Sequence, residues 1–136
     1  MTDSLFNAQE TLFASLAASS EIQALLGNPA RLYDHVPPAA VFPYIAFGPL
    51  HIAPFDTKTE TGFEQIVTLN IWSRYRGSRE AKDILAACYD VLHRASLSVS
   101  GAVFLACEFH GTDLALLEDG LTYHAAARFS LIIQGS

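Results

Sequence analysis

The sequence predicts a single α+β domain, one mostly antiparallel sheet covered by two helices. Three observations carry this. Residues 62–95 change period midway: Val67, Leu69 and Ile71 alternate with Thr68 and Asn70 as in a strand. Past Gly77-Ser78, the residues Ile84, Cys88, Val91 and Ala95 recur at helical spacing, widened by Leu85 and Leu92. Residues 4–26 hold a second helical stripe, and the last third of the chain holds two alternating runs around Asp119-Gly120, a hairpin signal. Helix, two or three strands, the strand of 63–73, helix and two strands is the element order of an α+β sandwich.

The first helix takes its stripe from Leu5, Leu12, Leu16, Ile22, Leu25 and Leu26, with Phe6 and Phe13 beside it. Ala17-Ala18-Ser19-Ser20 is a weak point at which the helix can split in two. Gly27-Asn28-Pro29 ends it, with Gly at the left-handed cap and Pro just beyond. Arg31-Leu32-Tyr33 reads as a short strand and His35 to Ala40 as an extended turn. Phe42 to Gly48 reads as a second strand, with Pro43 at its start or on an edge. Leu50 to Phe55 is either a third strand or part of a long loop, and Asp56 to Gly62 is polar and turn-like.

After the central strand, Ser78 has the chemistry of an N-cap and Arg79 can pair with Asp83 one turn on. Ser96 to Gly101 reads as a loop. Val103, Leu105, Cys107 and Phe109 then alternate with polar or small residues as in a strand, and Gly111-Thr112-Asp113 reads as a turn. The last strand places Leu121, Tyr123, Ala125, Ala127, Phe129, Leu131 and Ile133 on one face. Thr122, His124, Arg128, Ser130 and Gln134 fall on the other.

A chain of 136 residues is expected to form one domain over 1–136. At that size it buries roughly two thirds of its unfolded surface. An apolar fraction of 51% against 16% charged residues is rich for a small monomer, which leaves apolar surface for subunit contacts. The net charge of −6 argues against a dedicated nucleic-acid binder, yet suits a protein that tolerates nearby DNA without sticking to it. Met-Thr-Asp-Ser-Leu-Phe has no basic n-region of a secretory signal. Val36 to Phe55 carries no charged Asp, Glu, Lys or Arg, but its prolines forbid a continuous helix in lipid, so a soluble protein with no membrane partner is expected. Cys88 and Cys107 fall on apolar faces and read as buried thiols of a reducing cytosol.

The candidate sites are sparse. His35, His51, His93, His110 and His124 are scattered, and neither a metal-ligand spacing nor a C-x-x-C occurs. Asp34 and His35 are adjacent, which usually points side chains apart. Nucleophile-elbow, phosphate-loop and dinucleotide motifs are absent. The expectation is therefore no enzyme, no catalytic residues, no metal and no cofactor. Arg74, Arg76, Arg79 and Lys82 are four of the eight basic residues. Cations at a helix N-terminus oppose its dipole. Either they meet an anionic partner surface, or they form a solvated strand end with Arg79 bridged to Asp83. Trp72 closes the central strand and reads first as core, second as an interface anchor.

Composition and spacing lead no further than a small soluble domain. Several stretches together, however, resemble the small tail-completion proteins of long-tailed phages and phage-derived gene transfer agents. They are Tyr33-Asp34-His35-Val36-Pro37, Phe42-Pro43-Tyr44-Ile45, Leu69-Asn70-Ile71-Trp72-Ser73-Arg74 and Gly77-Ser78-Arg79-Glu80-Ala81. The closing Asp119-Gly120-Leu121-Thr122-Tyr123-His124 with Arg128-Phe129 belongs to the same series. Val36-Pro37-Pro38 departs from it, since a polar residue often follows the first proline. The resemblance covers nearly the whole chain in order.

It implies a structural virion protein, a tail terminator. Such a protein forms a homo-oligomeric ring, typically hexameric, on the last layer of the tail tube protein. It stops tube polymerisation and offers its other face to the head-side connector or stopper protein. DNA would pass the channel without specific binding, and assembly would take place in the bacterial cytoplasm, the product lying in the tail and neck of a phage-like particle. The family brings no catalytic residues. The candidate interface residues are Phe55, Asp56, Lys58, Thr59 and Glu60, in a segment 52–62 expected to be mobile in the free subunit. Arg74, Arg76 and Arg79 join them, expected to meet an acidic surface of a neighbouring subunit or an adjoining ring. Asp113, Glu118 and Asp119 are placed together in the last loop. The competing reading is a small-molecule or peptide-binding α+β module without catalysis, for which the sequence offers no pocket signature.

Overall fold

The computed structural model describes residues 2–56, 61–95 and 103–134, with side chains from 6–56, 61–95 and 106–134. In chain order the elements are α1 (Thr2–Ala18), α2 (Ser20–Leu26), β1 (Leu32–Tyr33), β2 (Tyr44–Pro54), β3 (Gly62–Ser73), α3 (Arg79–Leu92), β4 (Val103–Leu116) and β5 (Tyr123–Gln134). The five strands form one sheet in the order β1-β2-β3-β5-β4. β1 pairs parallel with β2, and all other pairings are antiparallel. The α+β architecture is that of the sequence.

The helices cover one face. Val67, Leu69 and Ile71 of β3 and Ala125, Ala127, Phe129, Leu131 and Ile133 of β5 share a core with Leu12, Leu16, Ile22, Leu26, Ile84, Cys88 and Leu92. Burying each leucine or isoleucine stabilises the fold by roughly 1.5–3 kcal/mol. α1 and α2 separate at the expected weak point. Ser19 leaves helical geometry and its Oγ accepts the Ile22 N–H at 3.3 Å, while Gln23 Nε2 donates to the Ala17 carbonyl across the break. Gly27 ends α2 at φ 88, ψ 174. Its φ is positive as expected, but the extended ψ takes it outside the left-handed helical region, into backbone essentially reserved for glycine.

Several expectations are corrected. Leu50 to Pro54 is neither a separate strand nor a loop: it continues β2 past a register shift between Phe47 and Leu50. The segment 52–62 is shortened accordingly, since 52–54 lie in β2 and Gly62 opens β3. Ser78 is not a side-chain cap. Its backbone already sits at φ −86, ψ 0, from which the hydroxyl makes no capping bond. α3 stops at Leu92, so Ala95 lies beyond it. Gly111-Thr112-Asp113 is not a turn but lies inside β4, where Gly111 at φ 105 accompanies a register shift between Phe109 and Thr112. A bulge of this kind bends a strand without ending it. The expected loop 96–101 lies outside the described residues.

Trp72 is the main correction to the predicted core. The residues of β3 facing the helices are Gln65, Val67, Leu69, Ile71 and Ser73. Parity therefore sends Trp72 to the other face, where it is half-buried and stacks on His124 at 4.2 Å.

Candidate functional site

The chemistry-bearing side chains serve the fold. His93 Nδ1 accepts the Phe109 N–H at 3.0 Å, and His124 Nε2 donates to Asn70 Oδ1 at 2.8 Å. Cys88 and Cys107 are free and buried, and burial pushes both thiols up to about 12, so they remain unreactive thiols. Among the described residues, no three His, Cys, Asp or Glu side chains cluster as metal ligands. No described helix is long and apolar enough to cross a membrane.

What stands out is surface, and the first patch lies at the C-terminal end of β3. Asp119 organises it. Its Oδ1 accepts the N–H groups of Leu121 and Thr122, both at 2.8 Å, and its Oδ2 accepts the Thr122 hydroxyl at 2.7 Å. These bonds, the hydroxyl's first, lower its carboxyl to about 2. Thr122, expected on the polar face, is buried by this turn. Its Oγ1 in turn accepts Arg74 Nε at 3.1 Å, and the Arg74 guanidinium lies 4.2 Å above the Phe42 ring.

Arg74 is committed within the chain, next to Asp119. Arg79 lies 3.7 Å from Asp83 in an exposed i,i+4 pair, which contributes little. Asp113 lies in β4, not in the loop, and pairs with Arg128 at 2.8 Å. Arg76 remains exposed at this end, with Tyr75 and Leu121 beside it.

Phe55 and Asp56 occupy the opposite end of β3. The Phe55 N–H donates to the Gly62 carbonyl at 2.9 Å, and Asp56 Oδ1 accepts the Gly62 N–H at 3.1 Å. A strand of this length spans roughly 35–40 Å. The structure therefore sets the two groups of candidate residues at the two ends of the sheet and does not bring them together. Lys58, Thr59 and Glu60 lie outside the described residues.

Two further grooves escaped the sequence reading. One runs between α1 and the residue after β1, lined by Phe6, Gln9, Glu10, Phe13 and Asp34. The other runs between α3 and β4, lined by Lys82, Leu85, Tyr89, Asp90, Phe109 and Thr112. The signal for the first was present: Phe6 and Phe13 lie seven residues apart, two helical turns, on a stripe of their own. The second joins residues from two elements that only folding brings together.

The helix-free sheet face carries a polar network. Ser130 donates to Glu64 at 2.9 Å, and Arg128 meets Asp113. His124 lies between Trp72 and Asn70, and partial burial lowers its pKa below 6.5. The unfolded chain therefore takes up a proton first as pH falls. His124 leaves stability intact above pH 6.5 and withdraws it between 6.5 and its lowered folded value. A proton-resonance titration is expected to place the His124 midpoint below 6.5, with Trp72→Ala moving it upward as the ring becomes solvated. An unchanged midpoint in that variant would show that the stack does not cause the shift.

A family model described as tail completion protein gp17 matches residues 10–134. Among solved structures, a chain from the "Virion of native gene transfer agent (GTA) particle" is similar with a TM-score of 0.85 at 25% sequence identity. The similarity covers 93% of this chain and 94% of the other. A comparison with curated proteins finds no match.

Proposed function

The chain belongs to the tail completion protein gp17 family, and from that premise we propose that this structural protein of a phage-like tail is a tail terminator. It forms a closed ring, six-fold in this reading, on the last layer of the tail tube. It stops tube growth there and presents its other face to the head-side connector. It assembles in the bacterial cytoplasm, and DNA passes through the ring without specific binding. The role is structural rather than catalytic. The observation that carries the reading is the near full-length similarity to a virion chain, over both partners.

Physical features of the chain support it. A ring requires two different, complementary surfaces per subunit, and the sheet has two unlike side edges: β1, only two residues long, and β4, fourteen residues long. A terminator also needs chemically different ends. Arg76 and Arg79 mark one end of the sheet and Phe55 and Asp56 the other. Arg74 supports the first end from within. A net charge of −6 repels DNA in transit.

Electron microscopy of particles made without this protein tests the reading, with overlong or headless tails expected. Normal-length, head-joined tails would overturn it. Charge reversal of Arg76 and Arg79 together, which leaves the Arg74 contacts in place, is expected to impair joining at that end.

A further inference from the structure

Resting on the ring reading, we propose that neighbouring copies dock side to side, the α1 groove of one subunit seating on the α3–β4 groove of the next. The occupant of each groove is thus a second copy of this chain. The two grooves lie on opposite sides of the molecule. Asp34 follows β1, at one edge of the sheet, and the α1 groove includes it. Phe109 and Thr112 belong to β4, at the other edge, and the α3 groove includes them. Surfaces on opposite flanks are what a head-to-tail contact needs in order to close into a ring.

Their chemistry is complementary. The α1 side projects two aromatic rings, Phe6 at 61% exposure and Phe13 at 40%, flanked by the carboxylates Glu10 and Asp34. The α3 side is an apolar trough of Leu85, Tyr89 and Phe109, with Lys82 at its start. Tyr89 is 40% exposed although its ring meets Phe109 edge-on at 5.4 Å, so the trough is built but uncovered. The phenylalanines fill the trough while Glu10 and Asp34 face Lys82. Asp90, at the far end of the trough, lies beside Glu21 of its own chain, away from the acidic pair. The aromatic burial supplies the affinity, and the exposed charges fix which flank meets which.

Cysteine cross-linking in assembled particles tests this, because Cys88 and Cys107 are buried and do not interfere. Oxidation of particles carrying Glu10→Cys with Lys82→Cys is expected to yield a ladder of linked subunits ending at a closed ring. Each single variant is expected to yield monomers only. Dimers from a single variant would show a two-fold contact and overturn the proposal. A charge swap gives the second arm. Lys82→Glu is expected to lower the yield of completed tails at least tenfold, and adding Glu10→Lys and Asp34→Lys to restore it. Normal yield from Lys82→Glu, or no rescue by the swap, would overturn this docking mode. A ring still seen at the tail end would leave the terminator reading standing, whereas the absence of any ring in unmodified particles would remove that reading itself.

Discussion

Phe129→Ala is expected to destabilise the fold by about 3–5 kcal/mol, the usual range for removing a buried aromatic ring. Phe129 is fully buried on β5, which is paired on both sides. It lies opposite Val67 of β3 and Phe109 of β4, and its ring meets Phe109 edge-on at 5.5 Å. Truncation leaves a void bounded by strands that are hydrogen-bonded on either side and cannot collapse into it. At this chain length the loss corresponds to a fall of roughly 10–20 °C in melting temperature. Thermal unfolding followed by circular dichroism measures it, with Phe129→Leu as a milder control. A fall of only one or two degrees would mean that the core relaxes around the gap. Phe109 also lines the α3–β4 trough, so the same variant should weaken assembly before it unfolds the subunit.

Gly62→Ala has the second largest expected effect, about 1–3 kcal/mol, because it overpacks backbone. A Cβ at residue 62 would lie 2.7 Å from the Phe55 carbonyl oxygen and 2.9 Å from that of Ile133. Both are main-chain atoms, so one strand must move. The displacement falls where Gly62 exchanges bonds with Phe55 and Asp56. Hydrogen exchange is expected to show lost protection at Phe55 and Gly62, with little change at Ile71 toward the other end of β3. Uniform loss along the strand would show that the end does not open separately. At Gly48 the added Cβ would instead meet the Asn70 side chain, which can yield at the expense of its bond to His124.

The reach of the sequence varied by residue. Val67, Leu69 and Ile71 were assigned to a buried strand face by alternation alone, and all three are in the core. Ser19 was placed at the helix break by its neighbours, and its hydroxyl caps α2. The Arg79–Asp83 pair followed from helical spacing. The contact of Arg74 with Thr122 was not legible, because Thr122 is 48 residues away and lies beside it only once β3 and β5 pair. Gly111-Thr112-Asp113 was misread because a turn and a bulge use the same residues. The α3–β4 trough left no trace, since none of its contacts between elements are local.

The sequence by itself determined the order of helices and strands, though not where β2, α3 and β4 end, together with the helix-facing side of β3 and β5 and the family resemblance. These depend on backbone periods of two and 3.6 residues and on short motifs, all written within a few consecutive positions. The tertiary structure alone decided the strand order β1-β2-β3-β5-β4, the stacking of Trp72 on His124, and the joining of Arg74 to the Asp119 turn. It also decided which apolar residues stay uncovered. The physical reason is that local spacing says which side of an element is apolar, while the helices reach only part of the sheet. Phe6 and Phe13 of α1 and Tyr89 of α3 are left exposed on the helices themselves.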